Sequence, residues 1–173
     1  SLNPYHRVGK QITESILSHE DISKKDAEKK AKELMELVEI PELERRYKSY
    51  PHELSGGQRQ RIMIAMSLIN EPELLIADEP TTALDVTIQA QILDLMNRLK
   101  EKLGMSILFI THDLGLVEKF SDRVCVMKEG EIVEQGVTTE IFSNPKHEYT
   151  IKLLKSEPQE KDHLHVSEDY ILD

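Results

Sequence analysis

The chain has 173 residues, 39% of them hydrophobic and 31% charged, enough for a globular domain with a sizeable core. Its 32 acidic and 22 basic residues give a formal net charge of −10, which argues against a nucleic-acid partner held by a general basic surface. The single cysteine, Cys125, excludes a disulfide framework or a cysteine metal cluster within the chain.

The first zone, about residues 5–54, is polar and helical. After Ser23, the stretch Asp26 to Ile40 puts Ala27, Ala31, Leu34, Leu37 and Val38 on one face, and Pro41 stops it. A helix is predicted from about Gly57 to Asn70, then a short apolar strand over Leu74–Asp78. A long helix, Val86 to Leu103, follows, capped by Asp85 and ended by Gly104. A second strand is expected over Ile107–Thr111, then a short helix through Val117 and a strand over Arg123–Met127. The apolar runs read as strands buried on both faces, as in a parallel sheet covered by helices. Lys128 to Glu131 reads as a hairpin turn into Ile132–Gln135, with short helices near Thr139–Ser143 and His147–Lys155. Cys125, in an apolar Val-Cys-Val-Met run, is expected to be a buried thiol in a reducing compartment. The tail from Ser156 to Glu168 is charged and aperiodic, so it reads as a linker. No apolar stretch approaches the roughly 20 residues that span a bilayer. Ser1 to Arg7 does not have the form of a signal peptide, and the lack of an initiating Met suggests a start in mid-protein.

In parallel α/β sheets, ligands sit beyond the carboxyl ends of the strands. Two strands end there in polar residues, Asp78-Glu79-Pro80 and Thr111-His112-Asp113. Asp then Glu suits a magnesium ion and an attacking water beside a phosphate. In isolation the pair reads better as turn caps, and a lone histidine after a strand is usually a surface or satisfied core residue. Ser55-Gly56-Gly57 begins a helix, where free N–H groups favour an anion, although a plain serine cap explains it equally well.

The combination decides the matter. Leu54-Ser55-Gly56-Gly57-Gln58-Arg59-Gln60-Arg61, then Leu74 to Asp85 (Leu-Leu-Ile-Ala-Asp-Glu-Pro-Thr-Thr-Ala-Leu-Asp), then Ile110-Thr111-His112-Asp113 occur in that order. In these residues the chain resembles the ATPases of the ABC transporter family, matching the signature motif, Walker B, D-loop and H-switch. The resemblance runs over essentially residues 1–156. It implies an α/β, P-loop NTPase-like parallel sheet with helices on both faces, of which this is the C-terminal part, plus a helical signature subdomain. The implied division is residues 1–70 for that subdomain, 71–156 for the core, and 157–173 for a linker or the start of a following cassette.

The resemblance also implies roles. Ser55, Gly56, Gly57 and Gln58 would bind the γ-phosphate of ATP held by an opposite subunit or half. Asp78 would serve Mg2+, Glu79 would be the catalytic base, Asp85 would communicate across the dimer, and His112 would be the switch histidine. Arg59, Gln60 and Arg61 would orient the signature helix. Within the family the wording is similar to oligopeptide, dipeptide and nickel importer ATPases, carried by Ser1-Leu2-Asn3-Pro4, Tyr50-Pro51-His52-Glu53, Asp85-Val86-Thr87-Ile88-Gln89-Ala90-Gln91-Ile92 and Asn144-Pro145-Lys146-His147-Glu148-Tyr149-Thr150. The implied partners are a second ATPase subunit or cassette half packed head to tail, transmembrane permease subunits and, indirectly, an extracytoplasmic solute-binding protein. The implied location is the cytoplasmic face of a bacterial plasma membrane.

One part of the family pattern is missing. None of the seven glycines makes the Gly-x-x-x-x-Gly-Lys-Ser/Thr loop that cradles phosphates, and the only Gly-Lys pair, Gly9-Lys10, is followed by Gln11. The chain alone is therefore expected to bind ATP poorly and not to turn it over. The ending Asp169-Tyr170-Ile171-Leu172-Asp173 resembles the opening of another cassette, as in the first half of a tandem peptide or microcin importer ATPase. Two other readings compete with a transport ATPase. One is a non-transport ABC ATPase of DNA repair or translation, disfavoured by the compact helical region and acidic charge. The other is a degenerate regulatory cassette, disfavoured by the intact Glu79 and His112.

Overall fold

The computed structural model of the chain describes residues 2–156. The linker and cassette-start expectations for 157–173 lie outside the described residues. The chain divides into two compact units, Ser1–Thr111 and His112 onward.

In the first unit, α1 (Val8–His19), α2 (Lys24–Leu37) and α3 (Leu43–Tyr47) precede a 3-10 turn at Pro51–Glu53 and α4 (Gly56–Ser67). Then come β1 (Leu74–Asp78), α5 (Val86–Leu103) and β2 (Ser106–Ile110). Ser23 starts α2 by accepting from the Asp26 N–H at 3.1 Å. Ala27, Ala31, Leu34 and Val38 of the expected face are buried. The helix leaves its axis earlier than Pro41, because a Schellman turn intervenes: the Glu39 N–H donates to Glu36 O at 2.8 Å and the Ile40 N–H to Met35 O at 3.0 Å. Glu39 takes the left-handed conformation this turn requires, with φ 59°. The core joins Ile12 and Ile16 of α1, Met35 of α2, Ile62 of α4, and Ile92, Leu95 and Leu99 of α5.

The strands β1 and β2 pair in parallel, with Leu74 opposite Ser106 and Asp78 opposite Ile110. Burial differs from the expectation of two covered faces. Leu75 and Ala77 are buried, whereas Leu74 and Ile76 are 51% and 61% exposed. Successive strand residues point to opposite faces. Leu75 and Ala77 join the core, with Ile107 and Phe109 packed against it, while Leu108 and Ile110 share the exposed face with Leu74 and Ile76. The helix α5 has the predicted limits, from the Asp85 cap to Gly104 at φ 64°.

The second unit has α6 (Leu114–Phe120), β3 (Arg123–Lys128), β4 (Glu131–Val137), α7 (Thr138–Ser143) and α8 (Glu148–Ser156). The strands β3 and β4 form the expected antiparallel hairpin. Its turn residues Glu129 and Gly130 both have positive φ, 51° and 85°, matching the twist of the strands. The buried-thiol expectation for Cys125 is corrected, since Cys125 is exposed. Strand alternation turns Val126 inward, and Cys125 faces away, its Sγ 3.7 Å from Gln135 Oε1.

Candidate functional site

Ser55 ends an extended segment and caps α4. Its Oγ accepts from the Gln58 N–H at 3.2 Å, while Gln58 Oε1 accepts from the Ser55 N–H at 3.1 Å. This reciprocal pair is a capping box, with Gln in the place that Glu often takes. Arg59 secures the turn behind it, donating from Nη1 to Leu54 O at 2.6 Å. The backbone N–H groups of the first turn and the positive end of the helix dipole are thus presented beside an exposed serine.

At the carboxyl end of β1, Asp78 is exposed and Glu79 turns the chain, with φ 46°. The Glu79 N–H donates to Ile110 O at 2.9 Å, extending the strand pairing by one bond, and Thr82 Oγ1 donates to Glu79 Oε2 at 3.2 Å. A left-handed glutamate is uncommon and is held here by bonds on both sides. Thr81 is buried and accepts from Gln89 Nε2 at 3.1 Å, tying the following loop to α5. Ala83, also at positive φ (66°), leads into Asp85, whose Oδ1 accepts from the Ile88 N–H at 3.0 Å and caps α5.

The structure brings the signature loop and the D-loop together. A Cβ on Gly57 would lie 2.7 Å from Ile88 Cγ2, and one on Gly56 would lie 3.1 Å from Leu84 Cδ2. Only a residue without a side chain lets α4 begin this close to α5. The glycines therefore have a packing reason that the sequence reading missed. A glycine pair opening a helix was the available signal, but it does not name what presses against it. Leu84 and Ile88 are the residues that do.

His112 opens the second unit and is exposed. Next to it, Asp113 Oδ1 accepts from the Leu116 N–H at 3.1 Å and caps α6. In the same unit the Glu134 carboxyl is held below the usual carboxylate range, by the Thr150 hydroxyl and by the N–H groups of Lys146 and His147. The Thr150 Oγ1 makes no hydrogen bond of ordinary geometry, so the weight rests on the two N–H donors, at 2.8 and 3.1 Å. Among the described residues, no His, Cys, Asp and Glu group could by itself hold a metal ion, and no helix is long and apolar enough to cross a membrane.

Residues 2–82 match the ABC transporter family. The chain is 59% identical over 159 residues to the peptidoglycan transport ATP-binding protein YejF of Agrobacterium fabrum, covering 92% of this chain and 29% of that protein. It is 61% identical over 158 residues to the oligopeptide transport ATP-binding protein OppD of Bacillus subtilis, covering 91% of this chain and 44% of that protein. Among solved structures, cbiO1 from Clostridium perfringens, part of the ABC transporter complex cbiONQ, superposes with a TM-score of 0.73 at 30% identity, over 83% of this chain and 55% of that one. A dimeric, post-hydrolysis ATP-binding cassette, MJ0796 bound to ADP and Pi, gives 0.67 at 30% identity, over 80% of this chain and 59% of that one. The chain spans less than half the length of these curated relatives. With parallel strands of P-loop NTPase type and a capped signature helix packed on the D-loop, the chain belongs to the ABC transporter family.

Proposed function

We propose that the protein containing this chain is the ATP-hydrolysing subunit of an importer that couples ATP turnover to uptake of peptides or related solutes. The observation that carries this reading is the packing of Gly56 and Gly57, next to the Ser55 cap, against Leu84 and Ile88, which flank the Asp85 cap. It joins an anion-directed helix start to a loop that leads from Asp78 and Glu79. The names of the relatives favour peptides as the solute class.

ATP would be held by a phosphate loop outside this chain, and Ser55, Gly56, Gly57 and Gln58 would close on its γ-phosphate from the opposite subunit or half. The hydroxyl of Ser55 accepts from Gln58 and still has a proton to donate to a phosphate oxygen. Glu79 would orient the attacking water and take its proton, held in place by its own N–H and by Thr82. His112 would contact the γ-phosphate, and Asp85 would reach across the dimer. An exposed carboxylate at a strand end is a hard oxygen donor suited to Mg2+, so Asp78 fits that ion. Bound there, the ion would neutralise charge developing on the phosphates. ATP then acts as the adhesive of the dimer, and its hydrolysis releases it. The subunit would dock on permease subunits at the cytoplasmic face of the membrane.

The test is Glu79→Gln in the intact protein with Mg-ATP. Loss of turnover with accumulation of an ATP-bound dimer on size exclusion is the expected result. Undiminished turnover would remove Glu79 from the base role. The isolated chain, lacking the phosphate loop, is expected to show no turnover, and robust Mg-ATP hydrolysis by it would overturn the division of labour.

A further inference from the structure

The geometry points to Glu39 as a positioning residue that locks the signature helix α4 to the D-loop helix α5, an inference resting on the functional reading above. Glu39 sits in the turn after α2 at φ 59°. Such a helix-terminating position ordinarily takes glycine or asparagine. A glutamate there accepts backbone strain that its side chain must justify, and observed strain of this kind is a pointer to function.

That side chain bridges two arginines. Arg61 of α4 donates from Nη1 to Glu39 Oε2 at 3.2 Å and to Val38 O at 3.0 Å. Arg98 of α5 donates from Nη2 to Glu39 Oε1 at 2.9 Å and Oε2 at 3.1 Å, and is steadied by Asp94 on its own helix. The Arg61 side chain is only 14% exposed. Glu39 is thus an anion that both helices share.

The helices α4 and α5 already meet at Gly57 and Ile88, and Ile62 of α4 shares one buried cluster with Ile92, Leu95 and Leu99 of α5. Apolar burial is non-directional, so it holds the helices together without itself aiming their N-terminal ends. The Arg61–Glu39–Arg98 bridge adds directional, charge-assisted bonds, about 6 Å along α4 from Gly57 and about 15 Å along α5 from Ile88 at 1.5 Å per residue. Those bonds restrain the angle between the two helices. Ser55 and Asp85, the caps of the two helices, then approach an opposite nucleotide as one body. The Glu39 and Arg98 side chains are half exposed, where an ion pair contributes little to stability, and Arg61 keeps its bond to Val38 O without Glu39, so the effect belongs in the geometry of closure.

The experiment compares the intact parent with Glu39→Gly, Arg98→Ala and the double variant, reading kcat, KM for ATP and the thermal midpoint. Glu39→Gly keeps the turn and relieves its strain while removing the carboxylate. Its midpoint is expected within about 2 °C of the parent. A misplaced closing loop should lower kcat about tenfold, with KM within about twofold because the phosphate loop lies elsewhere. Arg98→Ala should behave alike, and the double variant should be no worse than either single one. Parental kcat in Glu39→Gly, a rise in KM alone, a large fall in the midpoint, or losses that multiply in the double variant would each overturn the inference. Glu79→Gln run alongside separates the two readings. A parent without Glu79-dependent turnover sinks the functional reading and this inference with it. A parent with such turnover, matched by Glu39→Gly, sinks the clamp alone.

Discussion

Gly57→Ala tests whether the start of α4 is set by its contact with α5. A new Cβ would stand 2.7 Å from Ile88 Cγ2. That methyl branches directly from Cβ, so it cannot move without turning χ1 out of its preferred helical rotamer. The conflict must therefore be met by backbone movement or by an off-rotamer Ile88. Overpacking of this kind costs about 1–3 kcal/mol. Alanine returns at most about 1 kcal/mol through helix propensity, and less in a first turn. The net expectation is destabilisation of about 1 kcal/mol, with a larger loss of ATP turnover because Ser55 moves with the helix start. The Gly56 neighbour is different, since Leu84 Cδ2 is the free end of a flexible side chain at 3.1 Å. Gly56→Ala should therefore be the milder change. The decisive assay is a double-mutant cycle by thermal unfolding of the intact protein. Ile88→Val retains the offending methyl and should give no relief, whereas Ile88→Ala should absorb the penalty of Gly57→Ala, a coupling of about 1–3 kcal/mol. If Gly57→Ala is as stable as the parent, or Ile88→Val relieves it as well as Ile88→Ala, the packing argument is wrong.

Two further expectations concern the caps and the second unit. Asp85→Ala removes the acceptor for the Ile88 N–H and should destabilise by about 1 kcal/mol, whereas Asp85→Asn keeps the cap and should change stability by only a few tenths; equal losses in thermal unfolding would deny the cap its role. The folded Glu134 carboxyl titrates below its ordinary value of 4.5, so its contribution is complete above that pH and is lost as pH falls through the lower folded value. Glu134→Gln should lower stability at pH 7 and flatten the stability–pH curve below about 4.5, and an unchanged acid limb would refute the assignment.

Much of the frame was legible because its signals are local. The Asp85 cap, the 18 residues of α5 and the Gly104 terminus are each specified by residues within a turn of one another. The Glu129-Gly130 hairpin is legible for the same reason. The misses are all non-local. The helix α2 was read as running to Ile40 because the apolar face continues, but a buried Ile40 can equally serve a Schellman turn, and only the tertiary structure chooses. The exposed face of β1 and the outward Cys125 could not be seen either. A run of apolar residues fixes that a strand forms, while burial of each face depends on what packs there. Glu39 was hidden most deeply, since its partners Arg61 and Arg98 lie 22 and 59 residues away.

The two readings of Ser55 offered by its sequence, helix cap or phosphate ligand, turn out not to be rivals. A hydroxyl has two lone pairs and one proton. Its bond from the Gln58 N–H uses a lone pair and fixes the rotamer, while the proton and the N–H groups of Gly56 and Gly57 remain donors toward an anion. Capping therefore orients the hydroxyl without consuming its proton. Glu79 follows the same logic, with its N–H spent on Ile110 O and one carboxylate oxygen on Thr82 Oγ1, which holds a strained backbone and an aimed carboxylate together. Removing a cap acceptor in this fold should then damage function beyond its effect on stability. On that ground Ser55→Ala, with turnover measured at a temperature where the protein stays folded, should lose more activity than Ser55→Thr, which keeps both the lone pair and the proton.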